Sequence, residues 1–288
     1  LKQATSPNRV LTSKPCTFQK PERDPPRHSC ASGKDLDLNR LRRFLDWMPL
    51  WIAVVMLGGF VLADRLFPPP MTRADALSPT MTGVDGRLLR AGISPAGYWR
   101  LSTELADVDS HYVQALLAFE DQRFYRHDGV DYRGMARAVV TSLQARRLVS
   151  GGSTLTMPTA RLLEPRPNRT IGAKVMEILR AWQLERRFTK DEILNFYLTT
   201  APFGGNIEGA GAAAWRYFGK KPADLTWAES ALMVALPQSP VRRRPDRFSH
   251  RAEAARNRVL DVLVRRGVIT EEQATRGKRE PVPNARLD

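Results

Sequence analysis

The spacing of apolar positions along this chain changes several times, and each change marks a segment. Residues 1–39 carry no apolar period; they are rich in Pro, Ser, Lys and Arg and read as a disordered basic arm. Residues 47–63, "WMPLWIAVVMLGGFVLA", then run without a charge between Asp46 and Asp64. This run of seventeen residues reaches the lower limit for a helix that crosses a bilayer. Some forty polar residues precede it, too many for the short basic start of a cleaved signal, so it predicts an uncleaved anchor. Pro68, Pro69 and Pro70 follow as an extended spacer, and Asp85-Gly86 within "VDGRLLRAG" is the signal of a tight β-hairpin.

From about Val108 to Thr275 the apolar residues recur every three or four positions, which predicts a mainly α domain. Tyr112, Ala115, Leu116 and Phe119 share one helix face, and Met176, Leu179, Ala181, Trp182 and Leu184 share another. Further helices are predicted over 131–148, 190–198, 209–218, 227–236 and 251–266. The resulting division is a cytoplasmic basic arm over 1–46, a transmembrane anchor over 47–67, a linker with a small β-hairpin over 68–107, the helical domain over 108–276 and a tail over 277–288.

Composition narrows the partners. A net charge of +15 asks for an anion, which nucleic acid, an acidic membrane surface or a phosphorylated substrate would each supply. Arg40, Arg42 and Arg43 stand before the apolar run, whereas Asp64 and Arg65 follow it, so the positive-inside rule keeps the N-terminus in the cytoplasm and exports everything after about residue 66. Export removes nucleic acid as a partner. Cys16 and Cys30 both fall on the cytoplasmic side, which leaves the exported part without a disulfide.

Three clusters carry candidate chemistry. Glu120 and Asp121 close an apolar helix just before a loop with Phe124, His127 and Gly129. A carboxylate against apolar neighbours has its pKa raised toward the range of a general base, although a solvated helix end has the same spacing. Gly151 and Gly152 free the backbone ahead of Ser153 and Thr154, whose hydroxyls suit either a phosphate-binding helix start or a plain turn and N-cap. Arg161, Arg169 and Lys174 supply the cations that a diphosphate needs. Lys174 and Glu177 lie three apart on one helix face, the pattern of an ordinary surface ion pair as well. Pro158 complicates the second cluster. With Ser153 or Thr154 as N-cap it would fall inside the helix at a cost of ~3 kcal/mol. Met157, preceding proline, is biased away from helical geometry, which predicts a helix delayed to about Thr156.

The segments "FEDQRFYRHDG", "GGSTLTM", "KVME", "EILNFYLTTAPFGGNIEGAGAAAWRYFGK" and "ESALMVALPQSPVRRRP" resemble, in order, the motifs of the peptidoglycan glycosyltransferase domain of class A penicillin-binding proteins and monofunctional transglycosylases. The resemblance runs from about Val84 to Thr275, with "TAPFGGN" and "RPDRFSHRAEAARNRVL" most similar to the 1C branch. It implies a lysozyme-like, two-lobed fold of head and jaw that polymerises lipid II into β-1,4-linked glycan and releases undecaprenyl diphosphate. By the matching motifs Glu120 is the catalytic base and Glu177 the second catalytic acid. Asp121, Phe124, His127, Ser153, Thr154, Arg161, Arg169 and Lys174 are substrate-binding. No metal ligand set is visible and no cofactor is required; Mg²⁺ or another divalent cation is an optional aid. The implied location is the inner membrane, single-pass, with a periplasmic catalytic domain. Lipid II, the growing glycan strand, membrane lipids and other cell-wall synthesis proteins are the implied partners.

The chain departs from the family pattern at Pro158, where glutamine is usual, at Arg161, where lysine is common, and at Ala173, where arginine usually precedes the lysine. Those departures motivate an alternative, a catalytically impaired lipid II binding or scaffolding protein of the same fold; a lysozyme-like glycan-cleaving enzyme is another. No Ser-x-x-Lys or Lys-Thr-Gly motif occurs in the sequence, so peptide crosslinking is not expected of it. The basic run "VRRRPDR" at 241–247 reads as a solvated stretch or a contact to anionic headgroups.

Overall fold

A computed structural model describes residues 35–84, 88–145, 153–166 and 170–283, and the chain divides into two units, Leu1–Phe60 and Val61–Asp288. Helix α1, Asp35–Leu66, runs through the first unit and into the second. Its stretch Leu45–Leu66 is long and apolar enough to cross a membrane, and Trp47, Trp51 and Val55 are exposed along it. The helix starts well before residue 47, so 35–46 are helical and not part of an irregular arm. Leu38, Leu41 and Leu45 already recur at three- and four-residue spacing there. The Cys16 and Cys30 readings lie outside the described residues.

The second unit is mainly helical. After the short helix α2, Thr72–Asp75, strands β1, Thr80–Thr82, and β2, Leu88–Ala91, pair antiparallel as the predicted hairpin, whose Asp85-Gly86 turn lies outside the described residues. Strand β3, Trp99–Arg100, precedes the helices α3, Ser110–Glu120, α4, Tyr132–Ala145, α5, Thr156–Leu163, α6, Ile171–Arg187, and α7, Lys190–Thr200. Strands β4, Pro202–Gly204, and β5, Ile207–Glu208, are followed by α8, Ala210–Phe218, α9, Trp227–Ala235, α10, Ser249–Arg265, and α11, Glu271–Arg279.

Local chemistry starts these helices. The side chains of Thr189 and Glu192, of Thr226 and Glu229, and of Thr270 and Gln273 close reciprocal capping boxes at the heads of α7, α9 and α11. Thr170 caps α6 on the Ala173 N–H, and Asp109 caps α3 on the His111 N–H. The core then selects the faces. Tyr112, Ala115 and Leu116 of α3 are buried against α9 and α10, while Ile193, Leu194 and Leu198 of α7 are fully buried in the same core. Truncating one such leucine to alanine costs about 2 to 5 kcal/mol.

Two predicted boundaries shift. Strand β3 pairs in parallel with β5, and β4 pairs antiparallel on its other side, so 99–100 belong to the folded unit and not to a linker. Helix α11 continues past residue 276, with Ala274 and Gly277 buried against α9 and α10. Buried Arg256 holds its end by donating to the carbonyls of Lys278 and Glu280 at 3.0 and 2.5 Å.

Candidate active site

Glu120 is the last residue of α3, where the buried face of the helix delivers it beside the core while its carboxylate stays partly open. Gln238 holds it, Nε2 donating to Oε1 at 2.9 Å. Gln238 is oriented in turn by Arg243 Nη1, which donates to its Oε1 at 2.9 Å and to the Ala235 carbonyl at 2.7 Å. Burial pushes the Glu120 carboxyl above the usual range, the adjacent Asp121 adds to the rise, and Gln238, Arg243 and Arg266 only partly oppose it. A carboxylate so poorly compensated is basic.

Asp121 has a different environment. It is buried, and its Oδ2 accepts from the Leu155 N–H at 2.8 Å and pairs with His127 Nε2 at 2.9 Å. Thr154 Oγ1 donates to the Gly129 carbonyl at 2.5 Å, so the loop after α3 and the stretch before α5 are stitched together. Gly129 has a φ of 82° and a Cβ there would meet the Ala181 backbone at 3.2 Å, so only glycine lets this loop lie on α6. Phe124 is buried under Lys190, whose Nζ is 4.6 Å from the ring centroid.

The stitched turn settles the helix start. Helix α5 begins at Thr156 as expected, and neither Ser153 nor Thr154 caps it. Thr154 is buried with its hydroxyl engaged, and the Leu155 amide is taken by Asp121, so neither is open to a ligand; Gly151 and Gly152 lie outside the described residues.

Ser153, Arg161, Lys174 and Glu177 meet on a cavity of about 770 Å³, with Ala173 on its lining. Glu177 accepts from Lys174 Nζ at 3.0 Å and from Arg161 Nη1 at 3.4 Å. Glu164, also on the lining, takes Arg166 Nη2 and Arg180 Nε, each at 2.7 Å. Burial raises the Glu164 pKa, but these two bonds together leave it below the usual value. Arg169 lies outside the described residues, and Glu120 does not line the cavity.

Tyr197 is a further buried phenol of the same core. The Tyr197 hydroxyl is pushed well above its ordinary pKa first by burial and then by Glu120 and Tyr112, with Arg161 pulling it back.

Among the described residues no group of three or more His, Cys, Asp and Glu could hold a metal ion. The carboxylates on the cavity, Glu164, Glu177 and Glu208, are each already paired with cations. A protein-held divalent ion therefore does not fit this donor set.

Sequence reasoning passed over Gln238 and Arg243, although both stand in "ESALMVALPQSPVRRRP". The basic run is not uniformly solvated: Arg243 turns inward to Gln238, and Arg244 Nε pairs with Asp246 Oδ1 at 3.0 Å, while Arg242 stays exposed. That Arg243 and Arg244 are half-buried between exposed Arg242 and Arg247 has no signal in composition.

A carboxyl raised by burial at the end of α3 and a cavity lined by Arg161 and Lys174 are the two features of this site. A family model described as Transglycosylase matches residues 86–264, and the chain belongs to that family. Penicillin-binding protein 1C of Escherichia coli K12 is 44% identical over 220 residues, which cover 76% of this chain and 28% of that protein. Penicillin-binding protein 1A of Pseudomonas aeruginosa is 33% identical over 251 residues, 84% of this chain and 30% of that protein. The chain thus spans less than a third of the length of these curated relatives. A crystal structure of penicillin-binding protein 1A from Haemophilus influenzae overlaps 73% of this chain and 21% of its own, at 23% identity and a TM-score of 0.42.

Proposed function

We propose that this chain is a peptidoglycan glycosyltransferase of cell-wall synthesis, which transfers the glycan of a lipid II donor onto a 4-hydroxyl of the acceptor sugar and releases undecaprenyl diphosphate. The observation that carries the reading is that Arg161 and Lys174 are both held by Glu177 on one cavity, while Glu120, at the end of α3, keeps a carboxyl raised by burial. Glu120 takes the proton from the acceptor hydroxyl as its oxygen attacks the anomeric carbon. The bond from that carbon to the diphosphate oxygen breaks on the opposite face, which inverts the configuration. Charge grows on the leaving diphosphate, where Arg161 and Lys174 are already held in place by Glu177 and need little reorganisation. Ser153 adds a hydroxyl to the same lining, and Arg169 belongs to this cation set by its motif.

The two-lobed, lysozyme-like arrangement belongs to the same proposal. So does the location: α1 as a single span of the inner membrane, Arg40, Arg42 and Arg43 on the cytoplasmic side and the site in the periplasm. Incubating the detergent-purified protein with fluorescent lipid II tests the reading. Polymer that depends on Glu120 supports it, and no polymer from the wild type, or soluble fragments from purified sacculi instead, counts against it.

A further inference from the structure

Arg73 stands outside the matched segment 86–264, on the four-residue helix α2, yet its side chain lines the same cavity as Ser153, Arg161 and Lys174. A helix this short has no stability of its own. Arg100 holds it: Nη1 donates to the carbonyls of Arg73 and Ala76, the latter at 3.0 Å, satisfying groups that the end of a helix leaves open. The parallel register of β3 and β5 sets Arg100 directly beside Glu208. Arg100 is completely buried, and its Nε donates to Glu208 Oε2 at 3.0 Å, with Nη2 on the same oxygen. The other oxygen of Glu208 accepts from Arg73 Nη2 at 2.5 Å, and the Tyr98 ring lies 5.5 and 5.7 Å from the two guanidinium carbons.

One buried carboxylate therefore serves two guanidiniums. Their surplus positive charge is expressed at the accessible partner, since the Arg73 side chain is 27% exposed and that of Arg100 is not exposed at all. Among the described residues the buried Nε–H of Arg73 has no hydrogen-bond partner. Breaking a buried ion pair normally strands a charge. Here Arg73 can turn toward a ligand while Arg100 continues to neutralise Glu208. Glu164 and Glu177 repeat the arrangement, each shared by two cations on the same cavity.

We infer that Arg73 is a further anion-binding residue of this cavity, held by Arg100 and Glu208 and released to a phosphate oxygen of the lipid-linked substrate. The identity of that substrate rests on the glycosyltransferase reading; the anion site does not.

The test uses the full chain in detergent with inorganic pyrophosphate as probe, measured by calorimetry, beside lipid II kinetics. Arg73→Gln is expected to weaken pyrophosphate binding by about tenfold or more, the worth of a charge-assisted bond. The KM for lipid II should rise similarly with kcat within about threefold, as for binding shared by ground and transition states. Arg73→Lys keeps the ion pair to Glu208 and guards against loss of fold; it should melt like the wild type yet bind pyrophosphate more weakly, because the planar fork is gone. Unchanged pyrophosphate affinity in both folded variants, or no pyrophosphate binding by the wild type, overturns the inference. A wild type that binds pyrophosphate through Arg73 but makes no polymer sinks the function and leaves this site standing. Polymer formation indifferent to Arg73 does the reverse.

Discussion

Glu120 and Glu177 are the same residue type, and their surroundings differ. Glu120 is raised by burial and accepts from the amide of Gln238, which Arg243 orients from behind. Glu177 is gripped by Lys174 and Arg161. The first is left with affinity for a proton; the second is spent on organising cations. Position in the fold, at a helix end over the core or on a helix face beside a cavity, assigns the chemistry that composition leaves open.

Glu120→Gln should produce the largest effect, a fall in kcat of about 10² to 10⁴ with lipid II, the usual worth of a general base. Because its pKa is raised, activity should be present at neutral pH and be lost as pH falls through a value above the ordinary carboxylate range, measurable as the acid limb of kcat/KM against pH. Stability runs the other way. A folded pKa above the unfolded one means the native state holds the proton more tightly, so the contribution of Glu120 to stability declines as pH rises across that window. The glutamine variant should therefore melt no lower than the wild type at neutral pH, with any gain disappearing in acid. A variant that is active and melts lower at neutral pH would erase the contrast with Glu177.

Lys174→Ala tests the other glutamate. It removes the closer of the two cations on Glu177, and kcat/KM should fall by about 10², the cost of one prearranged donor to developing charge. The pH at which the acid limb falls should stay where it is, since the base is elsewhere.

Asp121→Ala acts on the stitch between the loop after α3 and the stretch before α5. It strips the Leu155 amide and His127 of a shared buried acceptor, and denaturant unfolding should show a loss of about 2 to 3 kcal/mol. Glu120, Glu177, Arg161 and Lys174 could be singled out as candidates because helical spacing and motif order place them. The struts and satellites were not. Arg73 meets Glu208 across 135 positions and Gln238 meets Glu120 across 118, distances over which local pattern carries no information. The strands β3, β4 and β5, of two and three residues, are likewise too short to show a period, although they set Arg100 beside Glu208. Helices with a continuous apolar face, such as α3 and α10, were readable, whereas the polar first turns of α1 and the charged α11 were not.

The smallest effect concerns Pro158, on the helix that carries Arg161 to Glu177. Helix α5 starts at Thr156, which puts Pro158 at the third helical position. Its first-turn backbone bond is made by the next residue, Thr159 N–H donating to the Leu155 carbonyl at 3.2 Å, with the Thr159 hydroxyl on the same oxygen at 2.9 Å. A proline among the first N–H groups of a helix forfeits nothing, because those groups have no intrahelical acceptor. Pro158→Ala should therefore shift stability by no more than about 0.5 kcal/mol, slightly downward because alanine frees the unfolded chain. Leu162→Pro, one turn further on, should cost about 3 kcal/mol or more by breaking an interior bond. Urea midpoints of the two variants decide it: a large loss or gain for Pro158→Ala would mean that the proline bends the helix and with it the Arg161 half of the comparison.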